Sequence, residues 1–376
     1  MAISAGDWFP NDPFTRWEPL PDPRRPELPY RSGLSLTIRK HVPPQPYGIT
    51  GYIEAQERQE APLEALRALT QSEWCVRCPP TSTSPPLDPS VHQLHVIRDI
   101  ACKDGRGPQI VEVYLDQDKS RTYVAKIFDP LYYAYGNRDA GRPVDVTWLA
   151  DQHYSREAAA YEDLSRASVD GVLVPKYHGS WTFNVPLWSH HSRPVRMILM
   201  EWVPARSLHN LIGSRHHFFF SPQQRLEILA RAMEIESRLS FHGVRHGDFA
   251  PRNVLLQFLG GTGIRSVDMD KLRILLVDFN HAVTISRPNC WYKRKLTTRP
   301  VNPRYRNWGG CPKEFLHWVP KPLSVRPAAF KGWLTRRWGG DCEEFAHRSE
   351  GSIKELDYDE EVEMVEPERD VIRRPG

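Results

Sequence analysis

Two short segments in the middle of the chain put carboxylates where they could do chemistry. The first is His246-Gly247-Asp248-Phe249-Ala250-Pro251-Arg252-Asn253, followed by strand-like residues 254–257. The second is Ile274-Leu275-Leu276-Val277-Asp278-Phe279-Asn280. Each sets an Asp at the edge of an apolar stretch, and the first adds an Asn five residues on. Phosphoryl transfer needs a carboxylate that orients the attacking hydroxyl and accepts its proton. It also needs acceptor oxygens that hold Mg²⁺ against the phosphates. The two segments supply both. The plainer alternative is a pair of loop carboxylates capping strands and helices.

Such groups need elements to position them, and the flanking sequence predicts a scaffold that changes character along the chain. Residues 109–115 and 122–128 are short, β-branched and apolar, with Gly105, Gly107 and Pro108 ahead of the first, and read as strands. Residues 151–166 have helical spacing, and residues 195–203 are again strand-like. Ser221, Pro222 and Gln224 form a capping box with proline at the first helical position. The helix they open ends at Gly243, which supplies the stop. Strands first and helices second make this an α+β chain of two lobes. Lys126 is a charge inside an apolar strand, which is costly unless paired. Glu157 lies on the apolar face of the next helix, in register with Tyr154, Tyr161 and Leu164, and is the candidate partner. Glu162 is turned off that stripe. A merely structural ion pair would look the same.

From about residue 91 to residue 283 the pattern resembles the protein-kinase-like superfamily. It is similar to kinase-like proteins of filamentous fungi, and to aminoglycoside phosphotransferases in having His-Gly-Asp in place of His-Arg-Asp. The resemblance implies a two-lobed protein-kinase-like fold with a β-rich N-lobe and a mainly helical C-lobe. It implies a kinase that uses ATP and Mg²⁺ and transfers a phosphoryl group to a hydroxyl of a protein or small-molecule acceptor. By this resemblance Asp248 is the catalytic base, and Asn253 and Asp278 are metal ligands. Lys126, in Tyr123-Val124-Ala125-Lys126, reaches the nucleotide phosphates, and Glu157 holds it. Met200 backs the adenine pocket, while Glu201 and Val203 offer main-chain hydrogen bonds to the base. Gly105 and Gly107 belong to the loop that covers the phosphates. Arg252 either substitutes near the phosphate or braces Asp248.

The sequence also departs from that pattern. The loop keeps two glycines and carries the rigid Pro108. Asn280 stands where glycine is usual; Asn tolerates positive φ next best, so the turn is retained. His-Gly-Asp lacks the arginine that reads activation-loop phosphorylation, which implies constitutive competence. No Ala-Pro-Glu motif follows residue 283. These departures keep open a pseudokinase-type binding module with weak or no catalysis.

Composition supplies the frame. The 34 prolines in 376 residues are about 9%, against about 5% in ordinary chains. Many fall in residues 1–90, predicting a proline-rich arm, partly disordered, outside the catalytic body. Within it Leu63, Leu66 and Leu69 have helical spacing that could dock on the body. An N-lobe over residues 91–203, a C-lobe over 204–350 and an acidic disordered tail over 351–376 complete the expected organisation. The net charge of +4 averages a basic segment, residues 287–337, with that acidic tail. A balance so close to neutral does not by itself imply a nucleic-acid or membrane partner, and a nucleic-acid binder using the basic segment ranks behind the other readings. The basic run suits a phosphorylated or acidic substrate, or is an ordinary solvated face. No apolar run approaches the roughly 18 residues of a membrane span. Residues 1–10 lack the features of a secretory signal, and six cysteines in so long a chain read as reduced thiols. Together these predict an intracellular protein, placed in the cytoplasm with the nucleus left open. Cys75-Val76-Arg77-Cys78 followed by His92 and His95 invites a zinc reading. The histidine spacing is one short of that pattern, so reduced thiols and loop histidines are preferred.

Overall fold

Lys126 lies on a strand that runs through the wall of an antiparallel β-barrel. The computed structural model describes residues 17–48, 51–53, 59–137, 141–188, 191–261, 267–292, 297–339 and 343–346. The chain is α+β and divides into two compact units. The first holds Met1–Glu162 with Tyr177–Trp202, and the second Asp163–Lys176 with Val203–Gly376.

In the first unit the strands are β1 (Ser35–Lys40), β2 (Val91–Ala101), β3 (Gln109–Leu115), β4 (Asp118–Phe128), β7 (Tyr177–Trp188) and β8 (His191–Glu201). They close in the order β1-β2-β3-β4-β8-β7 with antiparallel neighbours throughout. The period of two along each strand sends Ile38, Leu94, Val111, Val113, Ala125, Ile127, Val195, Met197 and Leu199 into the core. Short helices α1 (Leu63–Arg67) and α2 (Gln71–Arg77) precede β2. A two-residue ladder, β5 (Gly136–Asn137) with β6 (Arg142–Pro143), leads into the long helix α3 (Val146–Arg166).

The expectation of an arm outside the body is corrected by this unit. Part of the region from residue 1 to 90 is barrel: β1 pairs with both β2 and β7, so without it the sheet would not close. Leu66, Trp74 and Cys75 of α1 and α2 are core residues, and Thr70 with Glu73 forms a complete capping box on α2. Proline there separates short elements rather than excluding them. Residues 1–16 lie outside the described residues.

A second buried charge sits three residues beyond Lys126. Asp129 (0% exposed) receives two hydrogen bonds from Arg193 (1% exposed) of β8, at 3.1 and 2.7 Å. The arm's Tyr30 donates its hydroxyl to the same carboxylate at 2.6 Å. A desolvated pair of this kind is sustained by full hydrogen bonding, and loss of one partner strands the other charge. Tyr30 therefore fastens the chain ahead of β1 to the end of β4. His41 is half-buried in this unit, between the Tyr154 hydroxyl at 2.6 Å and Thr83 Oγ1 at 3.1 Å. Burial, aided by Arg196, lowers its pKa to about 3.

The second unit is built on α5 (Pro222–Phe241). Ser221 caps it with Gln224 completing the box, and Gly243 ends it at φ +86°. Around it lie β9 (Arg206–Ser207), α4 (Leu208–Gly213), β10 (Val244–Arg245), β11 (Val254–Phe258), β12 (Leu272–Leu276) and β13 (Val283–Thr284). Then follow α6 (Pro303–Arg306) and α7 (Pro327–Trp338). Trp318 is fully buried and exchanges hydrogen bonds with Arg225 of α5, its indole N–H donating to the Arg225 carbonyl at 2.9 Å. Among the described residues no helix is long and apolar enough to cross a membrane.

Four arginines of the basic segment are engaged inside this unit. Arg287 donates to Asp163, Arg306 to Glu236, Arg299 to the Glu343 carbonyl, and Arg337 pairs with Glu227 and Glu234. These arginines hold elements together. Lys293, Arg294, Lys295 and the acidic tail lie outside the described residues.

Two outcomes follow. Arg193→Leu is expected to lose about 3–5 kcal/mol in urea unfolding, because Asp129 remains buried without its cation; a loss below about 1 kcal/mol would contradict the assigned role. The unfolded chain protonates His41 near its ordinary pKa of about 6.5 and the folded one only near pH 3, so its contribution to stability is lost as pH falls through that window. The His41 ring should show no NMR titration between pH 8 and pH 5, and a midpoint near 6.5 would contradict its burial.

Candidate functional site

In the first unit, β4 places Lys126 opposite Ile110 of β3 and Ile198 of β8, within the barrel wall. Its ammonium (4% exposed) forms an ion pair with Glu157 (0% exposed) of α3. The Lys126 Nζ also lies 5.7 Å from the centre of the Phe128 ring. The pair expected from sequence is thus in contact. Glu162 is not part of it.

Met200 and Glu201 end β8, opposite Val124 and Tyr123 of β4, and Val203 opens the second unit. The Val203 carbonyl accepts from the Ala205 N–H at 2.8 Å.

The loop at 102–108 departs from its expected role. Gly105 and Gly107 do take positive φ, +73° and +106°. However, the Lys103 N–H donates to Gln109 Oε1 at 2.8 Å, Gly105 to the Tyr132 carbonyl at 3.0 Å, and Arg106 to the Lys103 carbonyl at 3.2 Å. A loop that cradles phosphates offers its N–H groups to them. Here three of those donors are committed to the protein.

In the second unit two ladders bring the chemical segments to one end. β11 pairs with β12 from Val254↔Leu276 to Phe258↔Leu272, so Asn253 precedes one strand where Val277 and Asp278 leave the other. β10 pairs with β13, which brackets the same two loops from their far sides. The Val277 N–H donates to the Asn253 carbonyl at 3.0 Å, closing the end. Asn253 donates through Nδ2 to the Asp248 carbonyl and to Asp248 Oδ2, both at 2.8 Å. Arg252 Nη2 reaches both Asp248 oxygens, at 2.5 and 2.7 Å. Of the two roles expected for Arg252, bracing Asp248 is the one the geometry has.

Two residues acquire roles that the motif alone did not assign. His246 accepts from the Asp248 N–H through Nδ1 at 3.3 Å and donates through Nε2 to the Val277 carbonyl at 3.0 Å. One neutral imidazole therefore ties the two loops together. Burial is the main cause that lowers its pKa and keeps it uncharged. Gly247 has φ +79°, and a Cβ there would stand 2.3 Å from the His281 carbonyl oxygen. Glycine is required on both counts. The signal was present in the sequence as a glycine beside the histidine, but the opposing carbonyl comes from a residue 34 positions away in the chain.

The turn after β12 is corrected as well. The residue at positive φ is Asp278 (+72°) and not Asn280. A non-glycine residue held there is strained and is found where surroundings over-determine it. Phe279 is fully buried with its ring centre 4.8 Å from that of His246. Asn280 is buried, and its Oδ1 has no hydrogen-bond partner among the described residues.

The donor set fits a hard, partly shared cation. Asp278 carries a carboxylate on one loop, and Asn253 on the adjacent loop commits its Nδ2 to Asp248, so its Oδ1 is the amide atom that could serve a cation. Among the described residues no group of three His, Cys, Asp or Glu could hold a metal by itself. That excludes the zinc reading of Cys75, Cys78, His92 and His95 there; His92 instead pairs with Asp116 and His95 with Ser35. It is compatible with Mg²⁺, which takes one or two protein oxygens and completes its shell with phosphates and water.

No family model matches the chain, and no curated protein sequence matches it. Among solved structures it is similar to the PknI kinase domain of Mycobacterium tuberculosis, with 16% identity, a TM-score of 0.32 and coverage of 64% of this chain and 71% of that one. A double mutant of that domain gives 16% identity, a TM-score of 0.35 and coverage of 65% and 84%. A Plasmodium kinase domain gives 15%, 0.34, 64% and 61%. Similarity this distant carries no argument, and the chemistry rests on the side chains.

Gly247→Ala is expected to cost about 1–3 kcal/mol in thermal or urea unfolding, through positive φ and contact with the His281 carbonyl. A neutral or stabilising substitution would show that the two loops do not approach as described.

Proposed function

We propose that this chain is a phosphotransferase of protein-kinase-like fold that uses ATP and Mg²⁺ and passes the γ-phosphoryl group to a hydroxyl of a protein or small molecule. The observation that carries the reading is the buried Lys126–Glu157 pair. A barrel gains little from such a pair, since apolar residues of similar volume stabilise as well or better. A lysine paired with a carboxylate in a barrel wall is accounted for by a polyanion that it serves.

In this reading Glu157 orients the Lys126 ammonium toward the nucleotide phosphates. Asp278 and the Asn253 amide oxygen hold the cation. Mg²⁺, when bound, supplies neutralisation of phosphate charge as the leaving oxygen departs. Asp248 orients the acceptor hydroxyl and takes its proton at a carboxylate oxygen. A carboxylate accepts about four hydrogen bonds, so the contacts from Arg252 and Asn253 leave room for the hydroxyl. His246 fixes the spacing between the base and the metal-binding turn. Met200, Glu201 and Val203 are assigned to the adenine. An intracellular setting belongs to the same reading.

A second reading, a nucleotide-dependent binding module without turnover, is favoured by one observation. The loop at 102–108 has committed N–H groups where an active phosphate cradle would keep them available.

Labelled ATP with Mg²⁺ and a panel of peptides and small hydroxyl compounds separates the two. The kinase reading predicts transfer that Lys126→Ala abolishes. Asp248→Asn should retain ATP affinity within about twofold while turnover falls at least a hundredfold. Undiminished transfer by Asp248→Asn would sink the assignment of the base, and tight ATP binding without transfer or hydrolysis would favour the binding module.

A further inference from the structure

The segment ahead of β1 reaches the loop at 102–108 through one side chain. Arg25 forks onto Asp104, Nη1 to Oδ2 at 2.7 Å and Nη2 to Oδ1 at 2.5 Å. The same guanidinium donates through Nε and Nη2 to the Leu131 carbonyl, at 3.2 and 2.6 Å, and lies 5.4 Å from the Tyr132 ring centre. Tyr132 is also the residue whose carbonyl receives the Gly105 N–H. One cation therefore grips both the loop and the stretch of chain against which the loop is closed.

The grip has firm footing on the arm and a yielding one on the loop. The arm is fixed on both sides of Arg25. Asp22 accepts from the Ser72 N–H at 2.9 Å, the Tyr132 hydroxyl donates to the Glu27 carbonyl at 2.8 Å, and Tyr30 is bonded to Asp129. The loop end is different: the Asp104 side chain is half exposed, and nothing stands within 4 Å of the Cβ position of Gly105. A bidentate pair with one exposed partner is strong enough to bias a loop and weak enough to open. Hydrogen bonding to Arg25 is the main cause that holds the Asp104 carboxyl below its usual range, so the pair stays ionised through neutral pH. Beneath the loop is a cleft of about 650 Å³, lined in part by Lys103, Arg106, Tyr133, Leu149 and His153.

We infer that Arg25 is a latch that sets nucleotide affinity by holding the loop at 102–108 against Tyr132, with its N–H groups withheld from phosphate. This rests on the reading that the Lys126 side of the barrel receives ATP. In the latched state three of the loop's N–H donors are spent, that of Gly105 on the stretch that Arg25 grips. Releasing Asp104 frees the Gly105 N–H from Tyr132 and lets the loop turn its donors to a polyphosphate. Apparent affinity for ATP is then scaled by the fraction of molecules unlatched.

The test compares the full chain with Arg25→Ala, and with Asp104→Asn, which weakens the pair from the loop side and leaves the Leu131 contact intact. Amide hydrogen exchange without nucleotide should accelerate across residues 103–107 in both variants while β7 and β8 are unchanged. Unaltered loop protection in both overturns the latch, whatever the protein binds. Calorimetry with Mg²⁺ should show ATP binding about fivefold tighter in both variants with adenosine affinity unchanged, because adenosine carries no phosphate for the loop. Unchanged or weaker ATP binding overturns the role in affinity. Faster loop exchange with no ATP binding by any form supports the latch as a contact and removes the phosphotransferase reading, so the two ideas fail separately.

Discussion

A buried ammonium group on the wall of a β-barrel is tolerable only beside a carboxylate, and much of the first unit can be understood as meeting that condition. Lys126 is fixed by β4, which is hydrogen-bonded on both sides to β3 and β8. Its partner has to come from outside the barrel wall, and the long helix α3 delivers Glu157 on its buried face. The requirement recurs three residues later, where Asp129 is met by Arg193. One charge on β4 and one just beyond its end are thus each met by a partner from a different element, and removing either partner would leave a buried charge unpaired.

The chain ahead of β2 belongs to this arrangement. Tyr30 bonds to Asp129, β1 completes the barrel, and Arg25 reaches the loop between β2 and β3. A segment dense in proline cannot add long helices, but it can supply short strands and rigid corners that carry side chains to defined places. In the second unit the corresponding economy is two short ladders. They turn four strand ends toward one another so that Asp248, Asn253 and Asp278 lie on two adjacent loops, tied by His246.

What could be read in the sequence was the part encoded locally. The capping box at Ser221, the helix with Glu157 on its apolar stripe and the strands around Lys126 follow from spacing and residue type, and the ion pair followed from asking what a buried lysine needs. β1 was hidden because proline dominated the reading of residues 1–90, although Leu36 and Ile38 alternate with polar neighbours in the strand period. The roles of Gly247 and His246 depend on partners more than 30 residues away, His281 and Val277, which no local pattern reveals. Positive φ was expected at Asn280 from side-chain tolerance. It falls at Asp278 because tertiary contacts on both sides of that residue outweigh local preference. The glycines at 105 and 107 were legible as turn residues, but their N–H partners were not.

The central claim is that Asp278 and Asn253 hold the cation that accompanies ATP. Mn²⁺ can replace Mg²⁺ and is visible by anomalous diffraction in crystals grown with a non-hydrolysable ATP analogue. The account predicts an anomalous peak within coordination distance, about 2–2.3 Å, of an Asp278 carboxylate oxygen and of Asn253 Oδ1, with phosphate oxygens completing the shell. A metal found elsewhere, or a bound nucleotide with no metal at these two residues, would contradict it.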